Sequence, residues 1–331
     1  MPMPKNLVCT LSLSSALFFS TLFFSSCTKN PGPGTHTPPP AVDSFFSWQV
    51  MKNAGGIGIE DIWFVSPSRG FYASGDQNLY QSQDSGKTWS SIPGSGSPDV
   101  TNELFFVDAQ YGFAQTPTRL EITRDGGNTW SSKTFPTTNA QNIFFTTPAI
   151  GFCSDPNTGL YKTTDTGSTW TVSYSLAGTA YGYYPYFLNP ATGFFFSGGG
   201  HFDRTSDSGS SWIATSTINF INPGTSFSTL QFLDTQNGFF AGLHGLLKTT
   251  DGGINWNTVY SDFSRVNIVK FFDVNTGYYM ADSAIYKTVD GGQDWSSSAK
   301  LTKDEFTGMH FISPSIGWAC SANGLILRIN Q

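Results

Sequence analysis

Six aspartates recur along the chain in one setting. Asp84, Asp125, Asp165, Asp207, Asp251 and Asp290 each follow a Ser or Thr by two positions, precede a glycine by two and precede a tryptophan by five. An acid in such a loop can bind Ca²⁺, act as a catalytic carboxylate, or close a tight turn. Ca²⁺ takes about six to eight oxygens, several of them from carboxylates. Here each copy supplies essentially one acid, and only the copy with Gln293 and Asp294 adds a second. Catalysis is excluded by the repetition, because six equivalent aspartates on one rim cannot all be catalytic. What remains is a structural turn. The carboxylate accepts hydrogen bonds from the N–H groups of its own turn, the glycine supplies a positive φ, and the Ser or Thr hydroxyl adds a local bond. Trp89, Trp130, Trp170, Trp212, Trp256 and Trp295 bury apolar area while their N–H groups find acceptors. No metal or cofactor is expected.

These turns must be held by a repeating unit. The aspartates are 39 to 44 residues apart, a period that points to propeller blades or solenoids. Each turn is preceded by an apolar run, a turn and a Gly-aromatic pair, as in WFVSPSRGF and FFVDAQYGF. The pair recurs seven times, at Gly70, Gly112, Gly151, Gly193, Gly238, Gly277 and Gly317. The unit reads as strand, turn, strand, loop, strand, Asp turn, strand: a four-stranded antiparallel meander, or one blade. The seventh unit ends with GLILRINQ, one strand short. The segment FFSWQV places Trp48 one period before Trp89, so this N-terminal strand is expected to complete the last blade and leave no open edge. The fold class is all-β, a seven-bladed β-propeller spanning 44–331, and a monomer is expected.

The six copies resemble the Asp-box, or BNR, repeats of β-propellers. A single ring of seven blades is similar to the photosystem II stability and assembly factor family, which implies a binding or assembly role rather than catalysis.

The N-terminus reads as a targeting segment. Lys5 precedes an apolar run from Leu7 to Phe24, and the FSSC ending at Cys27 resembles a bacterial lipobox. On that reading 1–26 is a lipoprotein signal peptide and Cys27 is lipid-modified. The Pro/Gly-rich stretch 27–43 is then a tether. The plainer alternatives are an ordinary signal peptide or an anchor helix. The expected location is the bacterial cell envelope, most simply the outer membrane, with the membrane engaged through the lipid. Cys153 and Cys320 are the only cysteines left for the folded region, and they are expected to be buried small apolar groups. Charged residues make up 12% of the chain and the net charge is −6. There is therefore no basic field for nucleic acid.

In a meander blade the Asp turn shares a face with the turn between the first two strands. Function is expected on the opposite face, among the loops. Its candidates are the aromatics Tyr174, Tyr181, Tyr183, Tyr184 and Tyr186 with Phe220 and Phe227, the arginines Arg119 and Arg265, and His201 and His244 in equivalent loops of neighbouring blades. Exposed rings can stack on a glycan or anchor a protein partner; equally, they can cover the blades as local core. The two histidines lack an evident third metal ligand. The alternative function is a glycoside hydrolase, since Asp boxes also occur in sialidases. A sialidase-like site needs three arginines on the loop face, where only Arg119 and Arg265 fall. A two-carboxylate site needs a close acidic pair, and nothing marks one among Asp155, Asp282, Asp304 and Glu305.

Overall fold

The computed structural model describes residues 48–330 except 54–55, 94–100, 102, 176–183, 198–200, 218–226, 243–244, 261–265, 282 and 299–304. Cys27, the tether, Tyr181, Tyr183, Phe220, Arg265 and His244 lie outside the described residues, and only the backbone of Phe227 is described.

The described strands form seven antiparallel sheets of four strands each. Blade one is Ile59–Phe64, Gly70–Ser74, Leu79–Ser82 and Ser90–Ser91, and the later blades repeat this order. The seventh contains Phe306–Ser313, Ile316–Ser321 and Leu325–Asn330, completed by the N-terminal strand Trp48–Asn53. Trp48 pairs with Ile329 and Asn53 with Leu325, antiparallel. The ring is thus closed by strands from both ends of the described chain, as the phase of Trp48 predicts.

The Gly-aromatic pairs have a packing cause. Each first strand carries a phenylalanine directly across from the glycine, as in Phe64 with Gly70 and Phe145 with Gly151. The ring lies flat over the glycine, and a Cβ on Gly151 would sit 2.3 Å from the Phe145 ring. The other face of the ring stacks on the preceding blade, on the aromatic that follows that blade's glycine. The centroid separations are 3.5 Å for Phe113–Phe145, 3.6 Å for Phe194–Phe232, 3.5 Å for Phe239–Phe271 and 3.5 Å for Phe64–Trp318. Phe71–Phe106, Phe152–Phe187 and Tyr278–Phe311 complete the seven interfaces. Glycine, phenylalanine and neighbouring aromatic form one sandwich per interface. The blade-to-blade core is therefore aromatic, which explains why the chain is 16% Phe, Trp and Tyr.

Cys153 and Cys320 are both buried and unpaired. Each packs among apolar residues of an interblade core, and burial pushes both thiols above their usual range.

Candidate functional site

The six Asp turns share a carboxylate clasp, but the indole closes it in four. Trp89, Trp130, Trp170 and Trp295 donate to the turn glycine's carbonyl. Trp212 donates instead to the Ser173 hydroxyl at 3.3 Å. Trp256 Nε1, against the expectation, is buried without an acceptor among the described residues. In the copy at Thr163, the Asp165 Oδ1 accepts the Thr169 N–H at 2.8 Å and the Thr163 hydroxyl at 2.8 Å, while Oδ2 accepts the Thr169 hydroxyl at 2.7 Å. The Thr163 hydroxyl in turn accepts the Gly167 N–H at 2.9 Å, and Trp170 Nε1 donates to the Gly167 carbonyl at 3.1 Å. The hydroxyl bonds, followed by the backbone bond, hold the carboxyls of Asp84, Asp125, Asp165 and Asp207 at about 2. Both carboxylate oxygens are taken up by the turn, so the acid serves as a clasp. The residue before the glycine is also left-handed: Ser85, Thr166 and Ser208 have φ of 69°, 61° and 63°. The remaining three copies place a second glycine there, Gly126, Gly252 and Gly291, which removes that strain.

Thr163 is buried whereas Thr169 is exposed. Thr163→Val leaves the buried Gly167 N–H without its acceptor and is expected to cost about 1–3 kcal/mol. Thr169→Val, whose partners remain open to water, is expected to cost less. Chemical unfolding of the two variants checks the order.

The Asp turns bond back to the turn between the first two strands of the same blade. Thr166 N–H donates to Ala149 O at 3.0 Å, and Gly126 N–H to Gln110 O at 2.8 Å. This puts both turns on one face, as the meander predicts. At the opposite face the inner, first strands of all seven blades surround an axial cavity of about 960 Å³. Its wall includes Glu60, Asp61, Glu103, Gln115, Tyr184 and Glu305, with the rings of Trp63, Phe105, Phe144 and Tyr186. Those rings form a contiguous arc, with centroids 5.3 Å apart for Trp63–Phe105, 5.2 Å for Phe105–Phe144 and 5.4 Å for Phe144–Tyr186. The equivalent positions in blades five to seven hold Gln231, Lys270 and His310.

Most polar groups of this layer fasten one blade to the next. Asp61 accepts the Ile62 N–H at 2.7 Å and, across the interface, the Leu104 N–H at 2.8 Å. Glu103 accepts the Ile143 N–H at 2.9 Å. Gln231 exchanges two bonds with the backbone of Phe271, at 2.8 and 2.7 Å. Desolvation inside the ring outweighs these bonds and pushes the carboxyls up, to about 7 for Asp61 and about 8 for Glu103. The charge of Asp61 contributes to the rise at Glu103. His310 is held neutral, lowered to about 3 by burial and then by the charge of Lys270. Its Nδ1 accepts the Phe64 N–H at 3.3 Å, and its ring lies 4.2 Å from Trp63. Asp61 and Glu103 thus influence one another, but both oxygens of Asp61 and one of Glu103 are committed to backbone amides.

Of the residues predicted to form the binding face, the structure brings Tyr184 to the cavity, together with Tyr186. Tyr174 instead packs against Phe195 and Trp212 and donates to Asp203 at 2.9 Å, so it belongs to the blade interface. His201 and Arg119 are exposed at the starts of their strands, away from the cavity wall. Among the described residues no arginine lines the cavity. Arg69 bonds Asn128 at 3.1 Å on the Asp-turn side, and Arg328 lies over Trp318 at 5.3 Å. Taken singly, Glu60, Asp61, Trp63, Glu103 and Gln115 look like ordinary strand residues. The repeat carried the signal: Asp61, Glu103, Asn142, Tyr184, Thr229 and Ile268 all stand three positions before the stacked phenylalanine, and all line the cavity.

Fold and site together define a seven-bladed β-propeller with an axial cavity on the face opposite its Asp turns. No protein-family profile and no curated protein matches the chain. Among solved structures it is similar to YCF48 bound to a D1 peptide, with 19% identity and a TM-score of 0.71, covering 89% of this chain and 100% of that one. It is also similar to YCF48 from Cyanidioschyzon merolae, at 16% identity and a TM-score of 0.65, covering 86% and 98% of the two chains. The GH74 xyloglucanase from Xanthomonas campestris matches at 12% identity and a TM-score of 0.68; there the alignment covers 86% of this chain and 54% of the enzyme. At these identities the likeness is one of fold.

Proposed function

We propose that the chain is a non-catalytic docking scaffold, tethered to the cell envelope by a lipid on Cys27, that seats a segment of a partner protein in the axial cavity. The observation that carries this reading is the cavity, which is large enough for several side chains and walled by rings and acceptors. Two of its carboxyls, Asp61 and Glu103, serve as interblade staples, which argues against acid–base work by them on a glycoside. The peptide complex of YCF48, similar over the full length of that chain, supports a protein segment as the occupant, as does the resemblance to the photosystem II assembly factor family.

A photo-crosslinking residue at Tyr184 in the full chain, expressed in its native envelope, tests the reading. One stoichiometric polypeptide is expected to crosslink from position 184 and not from the outer-strand position Val172, which is 50% exposed. Cys27→Ser is expected to release the chain from the membrane fraction. Glycoside turnover abolished by replacing Asp61 or Glu103 would make the chain a hydrolase and overturn the proposal.

A further inference from the structure

We infer that the axial cavity accepts a cationic side chain, lysine or arginine, from an extended protein segment. This deepens the docking reading and rests on it. The described wall is built from acceptors: Glu60, Asp61, Glu103 and Glu305 line the cavity, and no Lys, Arg or His among the described residues does. Asp61 spends both oxygens on backbone amides and Glu103 one. The staple bonds of this layer run to Asp61 and Glu103, not to Glu60.

Gln115 supplies an independent observation. It lines the cavity, is 1% exposed, and donates through Nε2 to the Ala140 carbonyl at 2.8 Å. That bond fixes the amide's orientation, and Oε1 then has no donor among the described residues. A buried acceptor without a donor is unfavourable, and an entering N–H group supplies what is missing. The strand register sets Gln115 directly across from Glu103, so the open acceptor and a carboxyl face the same space.

The rings fit the same ligand. A cation over the face of tryptophan or phenylalanine is attracted to the ring quadrupole, more strongly where water is excluded. Trp63 and Phe105 belong to the two blades that also provide Asp61 and Glu103. Among the described residues, Lys270 and His310 stand at the equivalent ring positions of other blades, and neither lines the cavity. A neutral sugar can stack on these rings but makes no use of the acidic groups, and an acidic segment would add like groups beside Glu60 and Glu305.

The test is a selection of random dodecapeptides displayed on phage, run against the full chain in detergent micelles. Selected peptides are expected to be enriched in Lys or Arg. For one such peptide, fluorescence anisotropy is expected to show affinity falling roughly tenfold or more when Glu60→Gln and Glu305→Gln are combined, and falling as salt is raised. Replacing the peptide's basic residue with Gln reads the same contact from the other side, so a poorly folding double variant does not leave the question open. Peptides without basic residues, bound equally by the wild type and the double variant, would overturn the inference while leaving docking intact. Failure to select any peptide, with glycans bound instead, would remove both.

Discussion

Replacing Gly151 with alanine is expected to destabilise the propeller by about 3 kcal/mol or more, at the upper end of the usual cost of overpacking. The new methyl would lie 2.3 Å from Cε1 of Phe145. The ring cannot retreat, because its far face stacks on Phe113 of the preceding blade at 3.5 Å and its edge meets Trp170. Relief requires either an interblade displacement or loss of the Gly151–Phe145 register. Phe145→Ala, which removes the ring and leaves a void, is expected to cost about 3–5 kcal/mol. The decisive measurement is the double variant. If the glycine is needed only to admit the ring, then Gly151→Ala costs little in the Phe145→Ala background and the pair is strongly non-additive. Additive losses would show that the glycine serves its backbone conformation instead, and the sandwich would lose its standing as the reason for the motif.

The architecture was legible because the repeat is written in residues with strong local demands. An Asp turn needs its hydroxyl, its acid and its glycine at fixed offsets, and six copies in phase leave little freedom for the strands between them. Closure by the N-terminal strand could be read from the phase of Trp48 alone. That residue meets Phe311 edge-on at 6.0 Å, much as Trp89 meets Phe64 at 5.9 Å. The site was far less legible. The aromatics around Tyr174 are conspicuous in the sequence, yet Tyr174 is spent on packing against Phe195 and Trp212. The residues that wall the cavity stand inside strands and look like ordinary alternation, with Asp61 between Glu60 and Ile62. Local pattern cannot reveal that six such positions converge on one cavity. Only superposing the repeats does so, by placing Asp61 and Glu103 at the same offset from Phe64 and Phe106. The open acceptor of Gln115 was beyond reach altogether, because it depends on which way a buried amide is turned by Ala140.

The same layer predicts an unusual response to pH. Asp61 and Glu103 titrate in the folded chain at about 7 and about 8, above their unfolded values of about 4. The folded state therefore holds more protons than the unfolded state through this range. Stability is present at low pH and falls as pH rises through the folded values. Other groups confine the clean window. His310, lowered to about 3, makes stability rise with pH below its unfolded value of about 6.5. Lys270, lowered by burial, makes it rise again toward the unfolded lysine value of about 10.4. The Asp-turn carboxyls at about 2 are ionised in both states above about pH 5.5, and they matter only in acid, where protonation loosens the turns. Between about pH 6.5 and 8.5 the two cavity carboxyls dominate, and stability is expected to fall by about 2–3 kcal/mol. Glu103→Gln keeps an oxygen for the Ile143 N–H and offers an N–H to the open acceptor of Gln115, while removing the ionisation. It is expected to abolish more than half of the fall and to leave the variant more stable than the wild type at pH 8.5. Equilibrium unfolding in urea at the two pH values measures this directly. A slope unchanged by Glu103→Gln would mean that Glu103 is already ionised in the folded ring, with its charge held by water or by a cation in the cavity.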